Sequence, residues 1–190
     1  MGIYTKTGDK GTTGNLLGQR VAKDSTFIEL QGNIDELNAH VGYLNCLLYD
    51  CNKISRVKKQ RLTEDLIEIE NALFNMGVEI SMDFTKNKLL PTHSTFLEGE
   101  IDWMTNQMPP QTKFILYSGT KEGTYAQVTR AVVRRAERFF VRYLKEVNVT
   151  EYPDSYQYIN RLSDFFFTFS RYVNFLQDKP ETIMREWKLE

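Results

Sequence analysis

Histidine and cysteine are scarce in this chain of 190 residues, which holds two of each: His40 and His93, Cys46 and Cys51. A di-iron bundle needs Glu-x-x-His pairs on facing helices and a zinc site needs clustered His and Cys ligands, so both are excluded. A Ser-His-Asp or Cys-His nucleophile lacks a credible histidine partner. Two cysteines are too few for a disulfide framework, and a reducing, cytoplasmic setting is the expectation. Charge of one sign is also missing. The net charge is −1, too little to attract nucleic acid or an anionic membrane, so any anion binding has to be local. No apolar run approaches the ~20 residues of a membrane span, and the charged-then-apolar layout of a signal peptide is not expected.

What is present reads as helix. Apolar residues make up 41% of the chain and charged residues 26%, ordinary for one soluble domain over residues 1–190. Asp24-Ser25 is an N-cap for a helix over about 26–50, with Leu30, Leu37, Val41, Leu44 and Leu48 on its buried side. Ile54, Val57, Leu62, Leu66, Ile69, Leu73, Met76 and Ile80 mark a second helix over about 53–82. A third, over about 93–108, stops at Pro109-Pro110, and His93 near its start reads as a cap or surface residue. An extended run from Lys113 breaks at Ser118-Gly119 and leads into a fourth helix over about 122–147. The fifth spans about 154–178, with Leu162, Phe165, Phe166, Phe169, Val173 and Leu176 on one face and Asn160, Arg161, Asp164, Thr168 and Arg171 on another. The fold class is all-α: a five-helix bundle over 25–178, an irregular nucleotide-binding loop over 1–24, and a tail over 179–190 that docks on the bundle or a neighbour.

Two features carry chemistry. In the fourth helix, at about 100° per residue, Arg130, Arg134, Glu137 and Arg138 share about a quarter of the circumference. They lie beside the apolar arc of Ala126, Val132, Val133, Ala136, Phe139, Phe140 and Leu144. Arginine is planar, permanently charged and grips phosphate oxygens in pairs. The second feature is the loop, where Gly8, Gly11, Gly14 and Gly18 alternate with Thr5, Thr7, Thr12 and Thr13. These glycines leave backbone amides free, and Lys6, Lys10, Arg20 and Lys23 add charge, the chemistry of a loop closing over phosphates. It is not a Walker A loop, whose GxxxxGK[ST] spacing does not occur. Asp35 in the first helix, with Gln31, Asn38 and Gly42 on its face, is weak evidence alone. These residues reach as far as a nucleotide site with Mg²⁺ and leave the acceptor unnamed.

Six blocks in register extend that reading: residues 3–11 (IYTKTGDKG), 20–24 (RVAKD), 32–38 (GNIDELN), 114–116 (FIL), 130–138 (RAVVRRAER) and 160–164 (NRLSD). Together they resemble the PduO-type ATP:cob(I)alamin adenosyltransferases over nearly the whole chain. The resemblance implies a homotrimer with each active site between two subunits, and transfer of the 5′-deoxyadenosyl group of ATP to cobalt with release of triphosphate. It implies that Thr5, Lys6, Thr7, Gly8, Thr13, Gly14 and Lys23 wrap the triphosphate. Arg134, Glu137, Arg138 and Asn160 would hold triphosphate, Mg²⁺ and ribose, the metal mainly through ATP phosphates with Glu137 as its protein ligand. Asp35 and Arg130 would pair across the interface beside the corrinoid, and Phe114 would lie below the corrin ring. A flavin-dependent reductase and an adenosylcobalamin-dependent enzyme are the candidate partners it suggests.

The chemistry suits those assignments. Cobalt(I) is itself a strong nucleophile, so no histidine or activated serine is needed; the protein aligns cobalt with C5′ and stabilises charge on the departing triphosphate. An aromatic wall such as Phe114 would exclude axial ligands and make cobalt(II) easier to reduce. Three departures from the family pattern lie on the corrinoid side. Tyr117-Ser-Gly-Thr120 replaces a proline followed by small residues, Gln127 stands where a histidine is usual, and Tyr125 and Thr129 replace small residues.

Overall fold

The computed structural model describes residues 2–187; the tail residues 188–190, with the apolar Leu189 expected to dock, lie outside that range. Among the described residues the chain forms five α-helices and one two-stranded hairpin. The helices are α1 (Thr26–Asp50), α2 (Arg56–Ser81), α3 (Pro91–Thr105), α4 (Lys121–Glu146) and α5 (Asp154–Phe175). The Ser25 hydroxyl caps α1 by accepting from the Ile28 amide, as its residue type favours. Helix α3 begins two residues earlier than the apolar period indicates, because Pro91 occupies the first helical turn, where a missing N–H costs nothing. His93 then caps it, its Nδ1 accepting from the Leu90 amide at 3.0 Å. Helix α5 ends three residues earlier than expected: the Lys179 amide returns to the Asn174 carbonyl and Asp178 takes a left-handed φ of 52°.

Around the bundle, α1 packs on α2 and on α4, α4 on α5, and α5 on α3. Helices α1 and α4 are antiparallel: Phe27 meets Tyr143, Asn33 and Glu36 meet Arg135, and His40 meets Tyr125. The expected leucine stripe of α1 is fully buried, and Phe140, Phe165, Phe166 and Phe169 fill the opposite side. Val57 is the exception. It is 79% exposed, because it lies in the first turn of α2, before the stripe reaches the core. Residues 1–24 are not irregular throughout. They contain the antiparallel strands β1 (Thr12–Gly14) and β2 (Arg20–Ala22), with Thr13 opposite Val21. The turn between them closes on Asn15, whose side-chain oxygen accepts from the Leu17 and Gln19 amides, and on Gly18 at φ 78°.

Buried polar groups join the helices. Glu79, 1% exposed, accepts from the Lys88 and Leu89 amides and from the Ser155 hydroxyl, tying the α2–α3 connection to the start of α5. Between α2 and α3, Arg61 grips Glu100 through two nitrogens at 3.1 and 2.9 Å and stacks on Trp103. Asp65 is buried beside them with Oδ2 unpartnered, and burial, reinforced by the Glu100 charge, raises its carboxyl to about 7. A raised carboxyl favours folding while protonated, so its contribution is complete in acid and is lost as pH rises from the ordinary carboxylate range through 7. Asp65→Asn is therefore expected to stabilise the fold by about 1–3 kcal/mol at pH 8 and to make little difference at pH 4. Urea unfolding of both chains at the two pH values measures this; an equal effect at both refutes it.

Candidate active site

The hairpin region is organised by Arg20. Its Nη2 donates to the Thr7 carbonyl at 2.7 Å, the Thr12 carbonyl at 2.9 Å and the Thr12 hydroxyl at 2.5 Å. This guanidinium, read in the sequence as part of the loop's phosphate-facing charge, instead holds the loop together. The lysines differ. Lys6 is exposed on left-handed backbone at φ 59° between Thr5 and Thr7, whose hydroxyls share a hydrogen bond of 2.8 Å. Lys23 lies over Gly8 so closely that a Cβ there would come within 3.1 Å of Nζ. The loop thus brings Thr5, Lys6, Thr7, Gly8 and Lys23 into one exposed region.

The hairpin also reaches α1 and α2. The Leu16 amide donates to the Ser81 hydroxyl at 3.2 Å. A groove of about 480 Å³ follows, lined by Thr13, Leu16, Gly32, Asp35, Asn38 and Phe74 among others. Gln31 bridges its floor, Nε2 donating to the Gly77 carbonyl at 2.7 Å. Asp35 is exposed here, and Asn38 Oδ1 is buried without a partner, an unusual state for a buried acceptor. Gly14, at the end of β1, is exposed.

The arginine stripe occupies a different side. Arg134 and Arg138 are exposed, joined by an Arg138 Nη1 bond to the Arg134 carbonyl at 2.8 Å. Neither enters an ion pair among the described residues, whereas Arg135 faces the other way and pairs with Glu36. Glu137 is half-buried beside Tyr156 of α5, whose hydroxyl is raised first by burial and then by that carboxylate. Asn160, one turn beyond Tyr156 on α5, is exposed. Glu137 therefore faces α5, with Arg134 and Arg138 exposed within a turn of it on α4 and Asn160 exposed within a turn of Tyr156 on α5. Asp35 and Thr13 line the α1–α2 groove, and α1 packs between that groove and α4. Among the described residues Asp35 and Arg130 make no ion pair within one chain.

Phe114 begins the third component. It is 74% exposed, so it is not core, although its Phe-Ile-Leu run suggests burial. Its backbone is nevertheless fixed. The Met184 amide donates to the Phe114 carbonyl and the Leu116 amide to the Thr182 carbonyl, at 2.9 and 2.8 Å, around an Ile115–Ile183 bridge. The tail is anchored by buried Arg171, whose Nε donates to Glu181 at 2.5 Å and Nη2 to the Pro109 carbonyl at 3.1 Å. Asn174 fixes the other end, its side chain donating to the Ser118 carbonyl and accepting from the Thr120 amide and hydroxyl. A Cβ at Gly119 or Gly123 would overlap that carboxamide, and Gly119 also has φ 134°. Asn174 does not stand out in the sequence, whereas the tail with its apolar Ile183 and Met184 is expected to dock, and residues 182–184 pair with residues 114–116.

The sequence and fold are similar to those of known proteins. A family model described as cobalamin adenosyltransferase matches residues 3–173. A corrinoid adenosyltransferase from Bacillus subtilis is 39% identical over 176 residues, 92% of this chain and 87% of the relative. A phenylalanine-to-alanine variant of the PduO-type ATP:corrinoid adenosyltransferase from Lactobacillus reuteri, complexed with cobalamin and ATP, superimposes with a TM-score of 0.86. It is 33% identical and covers 97% of this chain and 100% of its own. An arginine-to-lysine variant of that enzyme, complexed with ATP, gives a TM-score of 0.83 at 34% identity, over 96% of this chain and 100% of its own. With a family model spanning most of the chain, relatives above 30% identity and the same helical fold, the chain belongs to the cobalamin adenosyltransferase family, in its PduO-type branch.

Proposed function

We propose that residues 1–190 form one domain that transfers the 5′-deoxyadenosyl group of ATP to the cobalt of a corrinoid. The observation that carries this reading is Phe114: a large aromatic ring left 74% exposed on a segment hydrogen-bonded on both sides. A rigid apolar wall facing out of the fold suits a flat, apolar ligand face better than it suits water. The known structures support both substrates, since the Lactobacillus reuteri enzyme is complexed with cobalamin and ATP. Its two variant positions lie 20 residues apart, the separation of Phe114 and Arg134 in this chain.

In this reading Thr5, Lys6, Thr7, Gly8, Thr13, Gly14 and Lys23 enclose the triphosphate, and Arg134, Glu137, Arg138 and Asn160 complete the ATP site. Those two groups lie on different sides of one chain, which supports a site built from two subunits of a homotrimer. The exposed Leu16 and Phe74 and the unpartnered Asn38 of the α1–α2 groove suit burial against a second copy. No cluster of three or more His, Cys, Asp or Glu occurs among the described residues. Mg²⁺ would therefore be held chiefly by ATP phosphate oxygens, with half-buried Glu137 as the protein carboxylate, and would supply positive charge to the leaving group.

Phe114 excludes axial ligands from cob(II)alamin and leaves it four-coordinate, and a one-electron donor such as a flavin-dependent reductase takes it to cobalt(I). The cobalt electron pair then attacks C5′, a Co–C bond forms, the C5′–O bond breaks, and triphosphate departs with the bonding electrons. Lys6, Lys23, Arg134 and Arg138 stabilise that growing charge. No helix among the described residues is long and apolar enough to cross a membrane, and the two cysteines are free thiols, which suits work in the cytoplasm beside an adenosylcobalamin-dependent enzyme.

The test is incubation with ATP and chemically reduced cobalamin, followed by the visible spectrum and phosphate analysis. Adenosylcobalamin with triphosphate is expected; orthophosphate without an alkylated corrinoid, or corrinoid binding without turnover, overturns the reading. In the same assay Lys6→Ala and Arg134→Ala are each expected to raise the KM for ATP and lower kcat. Each removes a charged contact to the leaving group worth about 1.5–3 kcal/mol, or roughly ten- to a hundredfold in kcat/KM. Wild-type ATP kinetics in both variants would remove these two assignments.

A further inference from the structure

Among the described residues, Arg130 is the one helix-borne arginine that hydrogen-bonds to another side chain without meeting a carboxylate. Arg61, Arg135, Arg161 and Arg171 each meet a carboxylate, on Glu100, Glu36, Glu98 and Glu181. Arg130 instead donates through Nε to the neutral Gln127 Oε1 at 2.8 Å, one turn back on α4. Its guanidinium carbon lies over the Tyr117 ring, 4.9 Å from the centroid. A guanidinium has five N–H donors in one plane. Gln127 engages Nε and the Tyr117 ring lies against the group, while neither terminal nitrogen has a hydrogen-bond partner among the described residues.

Both supports are themselves anchored, Gln127 by burial and Tyr117 through the backbone of its neighbours. Gln127 is 5% exposed, so packing limits its rotamers. Tyr117 lies between Leu116, whose amide donates to the Thr182 carbonyl, and Ser118, whose carbonyl accepts from Asn174. An acidic residue at position 127 would hold Nε equally well but would neutralise the charge; glutamine orients it and leaves it unpaired. These are two of the positions at which the chain departs from its family's usual residues, and they meet at one side chain.

We infer that Gln127 and Tyr117 are positioning residues that aim the unpaired Arg130 guanidinium out of its own subunit, toward Asp35 of the partner subunit at the corrinoid side of the site. This rests on the adenosyltransferase reading above. An arginine loses much of its side-chain freedom when it makes a defined contact. Fixing it beforehand removes that loss from the step in which corrinoid and partner close around it.

Steady-state kinetics of the full-length chain with ATP and reduced cobalamin test it, using Gln127→Leu, which removes the acceptor at similar volume, and Tyr117→Leu. Gln127→Leu is expected to lower kcat/KM for the corrinoid about tenfold with the KM for ATP unchanged. Tyr117→Leu should lower it about two- to fivefold, and Tyr117→Phe, which keeps the ring face, should recover most of that loss. The decisive measurement is the cycle with Arg130→Ala. In that background Gln127→Leu should cost nothing further, whereas a merely structural glutamine would cost the same with or without the arginine. Tyr117 is 60% exposed, so its variants keep the fold and carry the test even if Gln127→Leu does not. An active wild type with silent Gln127 and Tyr117 variants, or with additive losses in the cycle, overturns the inference alone. A wild type that makes no adenosylcobalamin overturns the functional reading first.

Discussion

Phe114→Ala is expected to leave the folded chain within about 0.5 kcal/mol of wild type and to remove most of its cobalt chemistry. The two halves of that expectation have separate causes. Truncating a buried phenylalanine costs about 3–5 kcal/mol, but the Phe114 ring is 74% exposed, so little native packing is lost and a surface-sized effect remains. The segment also keeps its shape, because none of its hydrogen bonds to residues 182–184 and to Asn174 uses the Phe114 side chain. What disappears is the apolar wall. With alanine there, water or a nitrogen base can reach the lower face of cobalt, the ion stays five-coordinate, and reduction becomes harder. Turnover should fall by roughly a hundredfold, equivalent to about 2.7 kcal/mol of transition-state stabilisation, with ATP affinity unchanged. Electron paramagnetic resonance of cob(II)alamin with enzyme and ATP reads the cause directly. A four-coordinate signal is expected from wild type and not from the variant. A variant that keeps the signal, or a wild type that never shows it, would reject this role for Phe114.

The sequence carried the helices far better than the connections. Leu30, Leu37, Leu44 and Leu48 of α1 repeat at helical spacing and are fully buried, because a long amphipathic helix has one way to hide its stripe. Val57 fits the same period and is exposed, since period says which face a residue takes but not whether a neighbour covers it. Strands of three residues are too short for a period of two to register, so the Thr12–Gly14 and Arg20–Ala22 hairpin was hidden within a glycine–threonine loop. Arg20 shows a further limit: a loop cation can face a ligand or its own carbonyls, and only coordinates distinguish them. At Phe114 the apolar Phe-Ile-Leu run by itself suggests burial, and only coordinates show the ring exposed. Asn174 reaches back more than fifty residues to residues 118–120, and no local pattern encodes a contact of that range. The stripe Arg130, Arg134, Glu137 and Arg138 needed only helical geometry, so it was legible throughout.

Asp35→Asn and Arg130→Ala should each reduce adenosylation by roughly a hundredfold or more while leaving the helical content and unfolding midpoint of the chain close to wild type. Asp35 is exposed in the α1–α2 groove and Arg130 is half-buried against Tyr117 on another side. Removing either disturbs no ion pair within its own chain, so the isolated fold has little reason to respond. Between two subunits the balance differs. If closure of the trimer brings these charges together away from water, loss of one leaves the other buried and unpaired, which costs about 3–5 kcal/mol. That cost would fall on the assembled site rather than on the fold. Sedimentation should show a trimer for wild type, and the reciprocal exchange, Asp35→Arg with Arg130→Asp, should recover part of the activity that each single reversal loses. Mixing two inactive chains gives a sharper reading. Asp35→Asn subunits unfolded and reassembled with Arg130→Ala subunits should regain activity, because some interfaces then carry both intact residues and others neither. Recovery requires the pair to come from two chains, whereas a monomeric species with full activity, or mixtures that stay inactive, would place both residues' effects within one subunit.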